Sequence, residues 1–336
     1  MKKSLIVLAV LLLVGGFVFA EAGVSGEFTL GASDVFTTDA STSVINAEIN
    51  ITADVDEYTS VAVELDSEGD DWTDQNVALD DFRLSSNILG ALGVEEVSLD
   101  LTVGLFTSYF SNWNYVSRSG EEFYYSTASG VIFTSAETTD LAFSLDLGYK
   151  GYDVMYWMDM YASEMAAAIS GTPVEGANFL VGYAASIADM TAGGIWVEGG
   201  YEFEAGPASL LIPASFVYDL ASESYGWSSG IAVDVDAYHF STAVGGSTDK
   251  SAFADCLIEL STSVVENADI YVIADMDFSA DSAFQSVDLG GMYNFGAFGL
   301  GAGYVLASAD DVETIILSDS SSMNGSGIYL CADVDF

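Results

Sequence analysis

From Ile45 to Val55 every second residue is apolar. Ile45, Ala47, Ile49, Ile51, Ala53 and Val55 alternate with Asn46, Glu48, Asn50, Thr52 and Asp54. A repeat of two is the repeat of a β-strand, whose successive side chains point to opposite faces. Wound into a helix, the same residues would be scattered around the axis and bury nothing together. The pattern returns in Val97, Leu99, Leu101, Val103 and Leu105, and in Leu141, Phe143, Leu145, Leu147 and Tyr149. It returns again in Ile195, Val197, Tyr201 and Phe203, in Ile231, Val233 and Val235, and in Ile270, Val272, Ala274, Met276 and Phe278. The runs extend over about 9–13 residues, against about 5–6 for a strand of an ordinary globular domain. A tilted strand crossing a bilayer needs about 9–11. Apolar residues make up 51% of the chain, with 33 glycines and only 3 prolines, which is an all-β composition.

The spaces between runs fall into two kinds. Asp56-Glu57, Lys150-Gly151, Asp236-Ala237 and Gly296-Ala297 have the length of hairpin turns. Residues 33–42, 67–75, 107–121, 162–177 and 309–325 are longer and polar, and 162–171 has the composition of a short loop helix capped by Ser163. Short turns on one side and long loops on the other mark a barrel that spans a membrane. Aromatic residues flank the turns in pairs: Tyr149 and Tyr152, Tyr218 and Tyr225, Phe278 and Phe284, Phe295 and Phe298. Strand preference accounts for aromatics in strands. Their concentration at strand ends fits rings seated at the headgroup level of a bilayer. The predicted fold class is all-β, an antiparallel transmembrane β-barrel of about 16 strands, with 14–18 compatible with the spacing. Residues 21–336 read as a single barrel domain.

Charge excludes several functions. The chain has 6 basic and 51 acidic residues, a formal net charge of −45. No nucleic acid can be a partner, because nothing would neutralise its phosphates. A disordered acidic chain is excluded by the apolar content. A salt-adapted soluble protein is compatible with the charge alone. The two cysteines, Cys256 and Cys331, fall on opposite parities of different strands and make neither a disulfide pair nor a metal-binding spacing.

The two termini add direction. Lys2 and Lys3 precede an apolar run to Phe19 and small residues at Ala20 and Ala22. That order predicts a signal peptide over residues 1–20, cleaved after Ala20 or Ala22 and exported through the Sec pathway. Its removal leaves four basic residues: Arg83, Arg118, Lys150 and Lys250. The last nine residues, IYLCADVDF, put Ile328, Leu330, Ala332, Val334 and Phe336 on one face. The other face carries Tyr329, Cys331, Asp333 and Asp335. A final strand with apolar alternation and a terminal Phe resembles the C-terminal signature of bacterial outer-membrane β-barrel proteins, and the chain as a whole is similar to the general porins. The resemblance implies an outer membrane of a two-membraned bacterium as the location and its lipid bilayer as the surroundings. It implies Leu330, Ala332, Val334 and Phe336 as a signal read by the barrel-assembly machinery, and a homotrimer as the assembly state.

A barrel of this size encloses an aqueous channel. The polar parity then lines it, with Glu48, Asp54, Asp100, Asp146, Glu198, Glu202, Asp234, Asp275, Asp277, Asp288 and Asp333 as candidate pore-lining residues. Asp153, Asp255, Glu259 and Asp335 share that parity. Carboxylates around a wet passage concentrate small cations and repel anions. The segment 104–122, GLFTSYFSNWNYVSRSGEE, is similar in order and length to the porin loop that folds inward. That likeness makes Arg118, Glu121 and Glu122 candidate constriction residues, and a plain surface loop fits the segment equally well.

Catalysis has a thinner basis. His239 and Ser241, in YHFST, resemble over three residues the His-x-Ser pair of outer-membrane phospholipases. No suitably placed Asn accompanies them, and their parity points them away from lipid. The run DMDFSADS lacks the turn glycine and closing Glu of a calcium loop. No cofactor or dedicated metal site is expected, and no residue is assigned chemistry. The expected function is passive diffusion of small hydrophilic solutes with a preference for cations. A non-conducting structural or adhesive barrel with acidic loops, and a secreted acidic β-sandwich, are the alternatives. Alternation by itself does not say which face looks inward.

Overall fold

A computed structural model describes residues 21–33, 41–68, 76–106, 108–109, 135–136, 141–159, 164–248, 255–278, 283–308 and 326–335. The strands are β1 (Glu21–Ser33), β2 (Ser41–Asp56), β3 (Thr59–Glu68), β4 (Asn76–Asn87), β5 (Ser98–Leu105), β6 (Ser108–Tyr109) and β7 (Ser135–Ala136). They continue with β8 (Ala142–Tyr149), β9 (Tyr152–Asp159), β10 (Glu164–Val174), β11 (Ala177–Ser186), β12 (Asp189–Ala205), β13 (Ala208–Asp219) and β14 (Ser224–Val235). The last are β15 (Tyr238–Ser247), β16 (Asp255–Thr262), β17 (Ala268–Asp277), β18 (Phe284–Asn294), β19 (Phe298–Ala307) and β20 (Gly327–Asp335). A four-residue helix, α1 (Ile88–Ala91), joins β4 to β5, its start capped by the Asn87 side chain.

Eighteen of these strands form one antiparallel sheet, and β6 and β7 pair separately. Each strand of the sheet bonds to the strand before and after it, β5 pairing directly with β8. The ring closes where β20 meets β1, from Glu27 opposite Asp335 to Ala32 opposite Leu330. Closure gives each of the eighteen strands a hydrogen-bonded neighbour on both sides, which a hydrocarbon environment requires of a strand.

The two faces of the ring differ as the alternation requires. Val154, Ile169, Val181, Ile195, Ile212, Phe216, Leu260, Leu289, Leu306 and Leu330 all lie exposed on the outer face. The opposite parity holds Asp159, Ser170, Glu198, Asp219, His239, Ser241, Glu259 and Asp288, all buried. A water-soluble sandwich would have these reversed, so the soluble alternative is physically inconsistent with the fold.

Connections sort by side. On the side that holds the start of β1 and the end of β20, two-residue turns occur at 57–58, 150–151, 175–176, 206–207 and 236–237. Lys150 and Gly151 both have positive φ, 52° and 79°, the primed-turn geometry that suits a hairpin's twist. The opposite side carries the long separations, 106–141 between β5 and β8 and 308–326 between β19 and β20; the exceptions are short turns there at 187–188 and 220–223, and a ten-residue connection at 88–97 on the short-turn side. Exposed rings crowd the short-turn end. Tyr152 lies 6.4 Å from Phe179, and Phe295 lies 4.7 Å from Tyr293 and 6.2 Å from Phe298. Phe143 with Tyr156 and Phe216 with Tyr225 make similar pairs towards the other end.

One expectation is corrected. Residues 162–177 are not a loop with a helix at 162–171, because Glu164–Val174 is strand β10, paired with β9 on one side and β11 on the other. Alanine favours a helix locally, but two complete hydrogen-bonded flanks outweigh that preference. Ala166 and Ala168 are also needed small, because Trp157 lies directly across from Ala166 on the interior face. The ring therefore has 18 strands, at the upper end of the expected range.

Candidate functional site

The interior wall is the candidate site. Register places every candidate pore-lining carboxylate on its parity. Glu48 and Asp54 of β2 stand opposite Glu27 and Glu21 of β1. Asp100 of β5 faces Asp146 of β8, a direct cross-strand pair of acids. Glu198 sits between Leu180 and Ser215, Glu202 opposite Leu211, and Asp234 between Ser209 and His239. On the later strands Asp275 stands between Leu257 and Ser286, and Asp277 opposite Asp255. Asp288 lies between Ile273 and Val305, and Asp333 between Gly299 and Thr29. Hydroxyls fill the rows between them, with Ser85 and Thr102 bonded at 2.9 Å and Ser144 donating to Asp146 at 3.4 Å.

Positive charge is scarce on this wall. Arg83 reaches the interior parity and is ion-paired with Asp81 on its own strand. Lys150 lies in an exposed turn with its Nζ 5.0 Å above the Tyr149 ring. Arg118, Glu121 and Glu122 fall outside the described residues, as do Phe336 and residues 1–20. What is described of that neighbourhood is its root. Phe106 is buried against the interior wall, and β6 pairs with β7 to bring Ser108 opposite Ala136.

The wall is not uniformly wet. Between β8 and β13 the interior parity carries an apolar ledge: Trp157 at 1% exposure, Leu180 at 0% and Trp196 at 2%, with Val217 and the small residues Ala142, Ala166, Ala168 and Ala184. Gly182 makes this possible, since a methyl group there would collide with the Trp196 ring. On the far wall Tyr329 of β20 is 0% exposed. Its hydroxyl donates to Asp288 at 2.7 Å and meets the Tyr271 hydroxyl, while its ring lies over Gly303. These aromatic side chains were not distinguishable in sequence from the membrane-interface rings. Only the cross-strand register reveals a small residue opposite each large ring: Ala166 for Trp157, Gly182 for Trp196 and Gly303 for Tyr329.

The carboxylates divide accordingly. Asp54, Asp153 and Glu202, near the short-turn end, are exposed, while Glu198, Glu259 and Asp288, farther in, are buried. His239 and Ser241 are both buried on the interior face, whereas Tyr238 and Phe240 are exposed on the outer one. His239 Nδ1 lies 2.9 Å from Asp234 Oδ1. Because a carboxylate only accepts, that nitrogen carries the proton and Nε2 points away from Asp234. Among the described residues no three His, Cys, Asp or Glu side chains converge as a metal-binding group. Cys331 is buried on the interior parity, Cys256 lies on the outer one, and both are free.

No protein-family model and no curated protein matches the chain. Solved structures do. An engineered protein described for asymmetric conductivity aligns with a TM-score of 0.57 at 12% identity, over 94% of this chain and 100% of its own. A substituted form of the Rh. blastica porin aligns with a TM-score of 0.57 at 13% identity, over 94% and 100%. A triple mutant of the Rhodopseudomonas blastica porin aligns with a TM-score of 0.54 at 12% identity, over 95% and 100%. At that identity the likeness is one of fold, and the fold of this chain is the porin-like outer-membrane β-barrel.

Proposed function

We propose that the chain is an outer-membrane porin, a passive diffusion channel for small hydrophilic solutes that prefers cations. The observation that carries this reading is the interior parity itself. It collects eleven candidate carboxylates in a closed ring, and its one described basic side chain, that of Arg83, is ion-paired to Asp81. A negative wall around water lowers the energy of a cation and raises that of an anion. The solved porins of the same fold support a channel. Under this reading residues 1–20 are a Sec signal, the exposed apolar belt meets lipid, and Leu330, Ala332, Val334 and Phe336 guide assembly. Three copies associate through parts of the outer face, and the protein carries no catalytic group.

The shielded ledge of Trp157, Leu180 and Trp196 favours a second reading, a barrel too narrow to conduct that acts through its acidic loops. Conductance of refolded protein in a planar bilayer under a KCl gradient separates them. Stable steps with a reversal potential on the K⁺ side are expected. Folded, inserted protein that never conducts would overturn the porin reading, and anion selectivity would overturn the role given to the carboxylates.

A further inference from the structure

Three buried polar atoms on the facing strands β15 and β16 have no hydrogen-bond partner: His239 Nε2, Glu259 Oε2 and Ser261 Oγ. They share one patch. His239 stands directly opposite Ser261, and Ser241 directly opposite Glu259, so Glu259 is the diagonal neighbour of His239 on the interior face. Such diagonal positions lie about 7–8 Å apart at the backbone, within reach of long side chains. His239 is 6% exposed and Glu259 1%. With the ring neutral and the carboxylate ionised, Nε2 and Oε2 are both acceptors on neighbouring diagonal positions, so neither satisfies the other. A cation held between them, a proton or a metal ion, satisfies both.

We propose that His239 Nε2 and the Glu259 carboxylate bind one borderline divalent metal ion of the zinc, copper or nickel class, with Ser261 Oγ as an additional oxygen donor. The imidazole nitrogen selects against calcium and magnesium, which take oxygen ligands. Asp234 holds His239 from behind through Nδ1, the carboxylate–histidine arrangement that fixes the ring and leaves Nε2 as donor to a metal. The Asp234 side chain is itself 45% exposed, so it connects the buried patch to the solvent at the short-turn end. Two protein ligands and a hydroxyl leave coordination positions for water. The site therefore captures an exchanging ion instead of clamping a structural one. The groups facing His239 are Asp234 from β14, Ser261 and Glu259 from β16, and Ser241 on its own strand, with no basic side chain among them. This inference does not depend on conduction, since the site exists in the wall of an open or a closed barrel.

The chain contains a single histidine, which makes the test specific. Folded protein in detergent is titrated with Cu²⁺ in excess Ca²⁺, which occupies the acidic surface, and followed by electron paramagnetic resonance. One bound Cu²⁺ with coupling to a single imidazole is expected. His239→Gln should abolish that coupling, and Glu259→Gln should weaken binding by about tenfold or more. Asp234→Asn should weaken it by about 10–100-fold while keeping the imidazole signature. If His239→Gln does not fold, Glu259→Gln and Asp234→Asn still decide. Wild-type protein without imidazole coupling, or with coupling that survives unchanged in His239→Gln, overturns the site. Binding unaffected by both Glu259→Gln and Asp234→Asn overturns it as well.

Discussion

Replacing Gly303 by alanine should destabilise the barrel selectively, and the reason can be followed atom by atom. Gly303 of β19 stands opposite Tyr329 of β20, and a Cβ built there would lie inside contact distance of the Tyr329 ring. A ring end on the surface would swing away at little cost. This one is fully buried, and its hydroxyl is held at 2.7 Å by Asp288 and against the Tyr271 hydroxyl. Overpacking a filled site costs about 1–3 kcal/mol. Pulling the hydroxyl from two partners adds about 1 kcal/mol for each bond lost. The expected loss is about 3–5 kcal/mol, or about a 150- to 5,000-fold change in the folding equilibrium. Urea-dependent folding into lipid vesicles, followed by tryptophan fluorescence, measures it. Gly194→Ala is the control, because the nearest atom to its new methyl would be 3.9 Å away, and its effect should stay within about 0.5 kcal/mol. The pair Gly303→Ala and Tyr329→Ala completes a double-mutant cycle. Once the ring is gone, the added methyl should be nearly free. Gly303→Ala as benign as Gly194→Ala, or equally costly with and without Tyr329, would refute the steric account.

Leu289 projects from the middle of β18 on the outer face and is 54% exposed; Leu289→Arg should cost about 2–4 kcal/mol in vesicles, and a neutral result would mean that this face does not meet hydrocarbon. Trp196 and Trp227 lie on opposite parities, so in variants keeping only one of them, spin-labelled lipid should quench Trp227 and spare Trp196; equal quenching would contradict the facing. Neutralising the exposed Asp54 and Glu202 as Asn and Gln should shift the KCl reversal potential towards zero. A charge about 9 Å from the ion in water contributes about 0.5 kcal/mol, so each loss should lower cation preference by about twofold. Selectivity unchanged in the double variant would remove these residues from the ion's path.

Where the sequence could be read, it was because one physical demand acts on every strand. Each must show lipid an apolar face and the interior another, so Ile45 to Val55 or Ile270 to Phe278 declares both the strand and its facing. β10 escaped because Met165, Ala167 and Ile169 alternate with Ala166, Ala168 and Ser170, a contrast too faint beside alanine's helix preference. The carboxylates could be assigned a parity, but not a depth. Asp54 and Glu259 look alike in the alternation, and only the strands beside them leave one exposed and the other buried. The interior ledge was hidden for a related reason. Trp157 and Trp196 have the composition of an interface ring, and their inward packing depends on Ala166 and Gly182 of neighbouring strands.

The seam between β1 and β20 has a kinetic meaning. Nearly every other pairing in the ring joins strands adjacent in the chain, which form cheaply as hairpins. The seam alone joins residues about 300 positions apart, at a loop-closure cost near 5 kcal/mol, and it does so over only six residue pairs. Until it forms, both terminal strands offer open hydrogen-bonding edges, which hydrocarbon does not tolerate. Closing the ring is therefore the expected rate-limiting event of folding. Substitutions along Leu330 to Asp335 should slow it far more than equal losses of stability elsewhere.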